Sequence, residues 1–338
     1  MKPLRVLLTG ATGFIGSAVA RELLDHQAAG RHLSVRALAR TLPQGAREQG
    51  AEGGSGIAWT TGDLSDRASL RQAVEGVDVL IHLASRISGS EAQCEAVNVH
   101  GTAALVEEAV GAGVERIVQL STAAVYGAGP HRGVDVGEVV PAPVSPASRT
   151  RLAGEAPALA AGGHVLRPGL VLGAGDRWVV PALSELVARV PARWDGGRGR
   201  VSVVYVEDLA RLIAALACAA DAPPPGVYHA SHPVPVRTGD LLDELAALGV
   251  LPPVTGDLPW DACLRRLREV PGAVSERQFS LLAQDHWYRS EEVWRLSGCP
   301  AGPGPLARLG EAAAWYRGHL AERSGAAPGA GSRPRDRG

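Results

Sequence analysis

The chain reads as an α/β protein, a doubly wound parallel sheet with a smaller, mainly helical second lobe, and three observations predict it. First, the apolar runs Leu4 to Leu8, Leu33 to Leu38, Val77 to Ser85 and Arg116 to Leu120 are near-continuous rather than alternating, as strands buried on both faces are. Second, segments that read as helices separate them, the order expected of βα units. Third, the first run ends in Thr9-Gly10-Ala11-Thr12-Gly13-Phe14-Ile15-Gly16, which places three glycines where a buried strand turns into a helix. At 338 residues the chain is long enough for one large α/β domain and a partner lobe.

The glycine turn is a dinucleotide cradle. Gly10 allows the tight turn, Gly13 lets backbone N–H groups approach a pyrophosphate, and Gly16 lets the helix pack close to the sheet. Thr12, Phe14 and Ile15 complete the phosphate-facing turn, where unpaired N–H groups and the positive end of the helix dipole await an anion. The helix is predicted to run to about His26–Ala29, and the second strand ends in Ala37-Leu38-Ala39-Arg40. An acidic residue at this tip would bind the ribose hydroxyls of NAD and repel a 2′-phosphate. Ala39 followed by Arg40 instead offers a guanidinium to that phosphate, so the expected cofactor is NADP(H).

A formal charge of −1 with mixed signs leaves no footprint for nucleic acid or an anionic membrane. Cys94, Cys218, Cys263 and Cys299 are scattered without a CxxC pair, as in a reduced intracellular protein. The apolar run after Lys2 is too short for a signal peptide, and nothing later approaches a membrane span, so a cytoplasmic location is expected. His229 and His232 have no third ligand nearby in sequence, and no metal is expected.

The octapeptide, with its GxxGxxG spacing, resembles the extended short-chain dehydrogenase/reductases, also called the NAD-dependent epimerase/dehydratase family. The resemblance extends from about Leu4 to Leu320 and implies a role for each later motif. Ala39 stands where NAD-selective members carry Asp. Gly62-Asp63-Leu64 resembles the adenine-contacting turn, with Asp63 accepting from the adenine amino group; it reads equally as an Asp N-cap for a helix from Ser65 or Asp66. The fourth strand would reach the cofactor at Ala84 and Ser85, with His82 a satisfied core histidine inside it. A helix from about Glu91 to Gly111 contains Asn98-Val99-His100-Gly101-Thr102, similar to the family's Asn-Val-x-Gly-Thr beside the cofactor. Ser121-Thr122-Ala123-Ala124-Val125-Tyr126-Gly127 is close to the family's Ser-Ser/Thr-x-x-Val-Tyr-Gly, which makes Thr122 the partner of the substrate carbonyl and Ser121 and Tyr126 the other catalytic candidates. Leu166-Arg167-Pro168-Gly169 resembles the stretch that passes the nicotinamide.

One segment departs from the family. Its helix carries Tyr-x-x-x-Lys inside Ser/Thr-Pro-Tyr-x-x-Ser/Thr-Lys-x-x-x-Glu, whereas this chain reads Ser145-Pro146-Ala147-Ser148-Arg149-Thr150-Arg151 and continues to Glu155. Ala147 replaces the tyrosine and Arg151 the lysine. Lys2 is the only lysine in the chain, so no other can substitute. A positioned general acid is worth about 10²–10⁴-fold in rate. Arg151 can still donate to ribose hydroxyls, but a guanidinium with a pKa above about 12 releases no proton.

These readings divide the chain into an NADP(H)-binding domain of the Rossmann type (1–169 and 200–231), a substrate lobe (170–199 and 232–323) and a disordered tail (324–338). Trp178, Val179, Val180, Leu183 and Leu186 suggest an amphipathic helix facing a pocket or the core. The expected activity is reduction of a carbonyl without the Tyr/Lys pair, a loss found in family members that reduce aromatic polyketides. The rivals are a sugar-nucleotide epimerase, which depends on the missing tyrosine, and a non-catalytic NADP(H)-sensing regulator. Pro157 interrupts a helix that pairs in family dimers, so a monomer or weak homodimer is expected.

Overall fold

The computed structural model describes residues 2–44, 46, 56–221 and 223–325. The chain runs β1 (Leu4–Thr9), α1 (Phe14–Ala28), β2 (Leu33–Ala39), β3 (Ile57–Thr61), α2 (Arg67–Val74), β4 (Val79–His82), α3 (Glu91–Glu95), a π-helical turn (Ala96–Gly101), α4 (Thr102–Gly111) and β5 (Arg116–Leu120). It continues through β6 (His131–Val134), α5 (Pro146–Ala153), α6 (Glu155–Ala160), β7 (His164–Arg167), β8 (Leu170–Leu172), α7 (Val179–Arg189), β9 (Arg193–Trp194), β10 (Arg200–Val201), β11 (Val203–Tyr205) and α8 (Val206–Cys218). Last come β12 (Gly226–His229), β13 (Val236–Arg237), α9 (Thr238–Ala247), β14 (Asp257–Leu258), α10 (Trp260–Glu269), α11 (Glu276–Ala283), β15 (His286–Tyr288), α12 (Glu291–Ser297) and α13 (Pro305–Gly325).

Seven of these strands form one parallel sheet in the order β12-β7-β5-β4-β1-β2-β3. The order reverses between β1 and β4, and ligands of open α/β sheets bind outside the carboxyl ends at such a switch point. Gly10 and Gly13 lie there. The predicted strands fall where their apolar runs placed them because both faces of the sheet are covered: Val6, Leu8, Val79, Ile81 and Val118 are buried on one face, Leu7, Leu80 and Ile117 on the other.

The lobes interlock more closely than a simple partition allows. One core contains Val180, Leu183 and Leu186 of α7 with Leu241, Phe279 and Tyr316, so that face of α7 is core packing rather than pocket wall. Val201, Val203 and Tyr205, expected in the dinucleotide domain, belong to this second core. Conversely, Val293 and Trp294 of α12, expected in the substrate lobe, pack into the first core beside α8. The helix read over 91–111 is interrupted by its π turn. The tail expected from 324 is helical through Gly325; the remainder of that prediction, like most of the Gly-rich stretch 50–56, lies outside the described residues. No described helix is long and apolar enough to cross a membrane, and all four cysteines are free thiols.

Candidate active site

The cradle forms as its glycines require. Gly10 has φ +76°, and a Cβ there would stand 2.7 Å from the Ala84 nitrogen. A Cβ on Gly16 would collide with the Gly10 carbonyl, so only glycine lets α1 approach the turn. Gly13, by contrast, is exposed and caps α1 with no side-chain hydrogen bond, which leaves the first N–H groups open to an anion. A cavity of about 290 Å³ lies in front of it, lined by Gly10, Thr12, Gly13, Ala39, Arg40, Asp63, Leu64, Ala84 and Ser85. Nine of the sequence-marked residues therefore converge. Arg86 and Val97, which the sequence reading missed, line it too.

Arg40 is exposed and makes no hydrogen bond or ion pair with a described residue. Asp63 accepts from the Ser65 N–H at 2.8 Å and the Ser65 hydroxyl at 2.7 Å, and these bonds hold its carboxyl below the usual range. It is not the helix cap: Asp66 is, accepting from the Ala68 N–H at 3.1 Å. His82 bridges the hydroxyls of Thr9 (2.7 Å) and Thr102 (2.9 Å) deep in the sheet, and burial lowers its pKa to about 4. It is the satisfied core histidine the apolar run implied.

The other marked residues stand around the cradle rather than in it. Phe14, Ile15 and Gly16 form the first turn of α1. Asn98, within the π turn, is buried and uses its whole amide: Oδ1 accepts from the Arg86 N–H (2.7 Å), while Nδ2 donates to the Arg86 carbonyl (2.8 Å) and to the Thr150 hydroxyl (2.9 Å). It pins the Arg86 segment to α5, and both of its N–H groups are spent there. The Pro168 carbonyl accepts from the Ala123 N–H at 2.8 Å, and the Gly169 N–H donates to the Ser231 hydroxyl at 2.9 Å, so this pair ties the end of β5 to the segment after β12.

At the end of β5, Thr122 is half-buried and accepts from the Ala124 N–H at 3.2 Å, which leaves its own proton free to donate. Ser121 is different: its hydroxyl is buried and donates to Glu155. Glu155 is bidentate with Arg167 (2.6 and 3.0 Å), Arg167 donates to the Tyr126 hydroxyl at 2.8 Å, and that hydroxyl lies 2.7 Å from His229 Nε2. Tyr126 is 2% exposed, and burial raises its pKa. Ser121 and Tyr126 thus sit inside a closed polar network, and the geometry does not bring either hydroxyl to the cavity.

α5 begins at Ser145, whose side chain forms a reciprocal cap with Ser148, with Pro146 in the first turn. This start aims Ala147 and Arg151, one helical turn apart, at the ends of the central strands. Arg151 donates to the carbonyls of Leu120 (3.3 Å) and Ser121, and its Nε is buried without a partner among the described residues. Burial lowers its pKa to about 10, below the expected 12, yet it remains charged at neutral pH. Next to Ala147 lies a second cavity of about 350 Å³, lined also by Ile87, Cys94, Trp178 and Arg277. Arg86 lines one cavity and Ile87 the other, so the two share a wall. A larger groove of about 500 Å³ beside Val234, Asp240 and Pro305 holds none of the candidate residues.

Residues 6–230 match the model of the NAD dependent epimerase/dehydratase family. The chain belongs to this family. It is 32% identical over 270 residues, 77% of each chain, to the 4-hydroxy-2-methyl-3-oxo-4-farnesyl-3,4-dihydroquinoline-1-oxide ketoreductase of Stigmatella aurantiaca. It is 27% identical to the 2-alkyl-3-oxoalkanoate reductase of Stenotrophomonas maltophilia, covering 87% of this chain and 94% of that one. Among solved structures, a short-chain dehydrogenase/reductase superfamily protein of Agrobacterium tumefaciens with bound NAD superposes with a TM-score of 0.70 at 25% identity, covering 95% of this chain and 99% of the other. The chain has the cradle of a nicotinamide dinucleotide, the cofactor class bound in the Agrobacterium structure.

Proposed function

We propose that this member of the epimerase/dehydratase family is an NADPH-dependent ketoreductase of polycyclic aromatic, polyketide-type ketones, angucyclinones among them, and that the substrate itself supplies the proton. The observation that carries this reading is the end of α5. Ala147 faces the second cavity, no tyrosine or lysine lines that cavity, and the Tyr126 hydroxyl is enclosed elsewhere. The resemblance noted in the sequence to reductases of aromatic polyketides, including that of the simocyclinone pathway, points the same way. The name of the Stigmatella relative supports the carbonyl class, since it sets a 3-oxo group on the dihydro ring of a quinoline.

The bound NADPH would supply hydride. The protein's residues hold the partners in place: the first turn of α1 carries the pyrophosphate, Arg40 the 2′-phosphate and Arg151 the ribose. Thr122 donates to the substrate carbonyl and to the alkoxide that forms from it. Ala147 has no donor, and the Thr122 hydroxyl is too weak an acid to protonate that alkoxide efficiently. A phenolic hydroxyl adjacent to the ketone, already hydrogen-bonded to it, delivers the proton instead, and the phenolate left behind takes up a proton from water. Positioning is then the main contribution of the protein, and proximity is worth about 7–11 kcal/mol.

The test follows NADPH absorbance and alcohol formation with matched polycyclic ketones. A ketone bearing the neighbouring hydroxyl should turn over, and its methyl ether should be nearly inert. Equal reduction of the hydroxyl-free ketone would assign the acid to the protein.

A further inference from the structure

The cavity beside Ala147 has a chemical asymmetry. One side is apolar and open: Trp178 is 60% exposed and Ile87 46% exposed, although both are large apolar side chains. The main chain at Trp178 is held in place: its backbone N–H donates at 2.8 Å to Asp176, a buried carboxylate that also caps the start of α7.

The other side carries an uncompensated cation. Arg277 makes no hydrogen bond or ion pair with any described residue, and its Nε is buried without a partner. It stands in the first turn of α11, where the helix dipole disfavours a positive charge. Its neighbours on that turn are already engaged. Glu276 is held by Arg268 at 2.6 and 2.8 Å, and Gln278 closes the cap with Ser275. Arg277 is half-buried and lines the cavity with a charge that no ion pair to a described residue offsets.

We propose that this cavity binds a flat aromatic ligand that carries an anionic oxygen, a carboxylate or phenolate. Arg277 pairs with that oxygen, and Trp178 lies against the ring. The inference rests on the reading of the α5 end as the substrate site and narrows the substrate to an acidic aromatic ketone.

Calorimetry with 2-naphthoate and methyl 2-naphthoate, on the full chain saturated with NADP⁺, tests it. The unaltered protein should bind the acid about tenfold more tightly than the ester, as one charge-assisted hydrogen bond would supply. Arg277→Gln should bring the two affinities together, Arg277→Lys should keep part of the preference, and Trp178→Ala should weaken both probes alike. NADP⁺ affinity, measured on each variant, confirms that the cradle is folded. Equal binding of acid and ester by the unaltered protein, or a preference that survives Arg277→Gln, overturns the proposal. Failure of the reductase reading would show separately, as absent NADPH oxidation with every ketone, and would leave the naphthoate preference intact.

Discussion

Arg40 stands without a described partner at the tip of β2, a few residues along the cradle wall from Asp63. The proposed NADPH preference gives this exposed guanidinium the 2′-phosphate as its partner. Arg40→Asp should therefore weaken NADPH binding by about tenfold or more and flatten or invert the preference over NADH. Fluorescence titration of both cofactors measures this, and equal affinity of the unaltered protein for the two would contradict it. Thr122 and Tyr126 differ in the same physical terms. Thr122→Ala removes a hydrogen bond to the developing alkoxide, about 1.5–3 kcal/mol for a charged acceptor, and should lower kcat by roughly ten- to a hundredfold with KM little changed. Tyr126→Phe strips a hydroxyl from an enclosed network and should lower Tm while leaving the pH–rate profile in place. These contrasts were not legible in the sequence. Ser121, Thr122 and Tyr126 occupy one motif, and only the packing of Glu155 and Arg167 decides which hydroxyls remain free.

Among elements, the strands and the glycine turn were legible because their signals are local: apolar runs bounded by glycine, and Cβ clashes that only glycine avoids. The start of α5 was equally plain from Ser145-Pro146. The π turn was not, since an added residue hardly disturbs a helical pattern and its cause is long-range. Asn98 must reach Arg86 on one side and Thr150 on the other, and such turns cluster at functional sites. The wall between the two cavities hangs on that amide. Asn98→Ala should raise KM for cofactor and ketone together and cost about 1–3 kcal/mol of stability, because it leaves buried groups unpaired. Steady-state kinetics with each substrate varied in turn checks it; a change in one KM alone would mean that the wall is not shared.

At the scale of the molecule, burial holds both His82 and His229 near pKa 4, against about 6.5 in an unfolded chain. The unfolded state binds more protons between those values. The stability from keeping both rings neutral is complete above about pH 6.5 and is lost as the pH falls toward 4, up to about 3 kcal/mol for each. His131 and His286, also lowered by burial, act in the same direction. Thermal melts should show Tm level from pH 7 to 8 and dropping steadily below 6; a flat profile down to pH 4.5 would refute this. The second cavity belongs to the same scale and was only partly legible in the sequence. The apolar pattern at Trp178 suggested a pocket or the core, but Arg277 lies about a hundred residues away on another element and carries no motif.

The direction of β1 has a practical consequence. Lys2 is exposed and precedes the strand, while Gly10 follows it, so the amine lies roughly 25 Å from the glycine turn along an extended backbone. It is also the only lysine of the chain. A lysine-directed dye or surface tether therefore attaches at a single side chain, on the amino-terminal edge of the sheet. The cofactor would enter at the opposite edge, facing away from the attachment point.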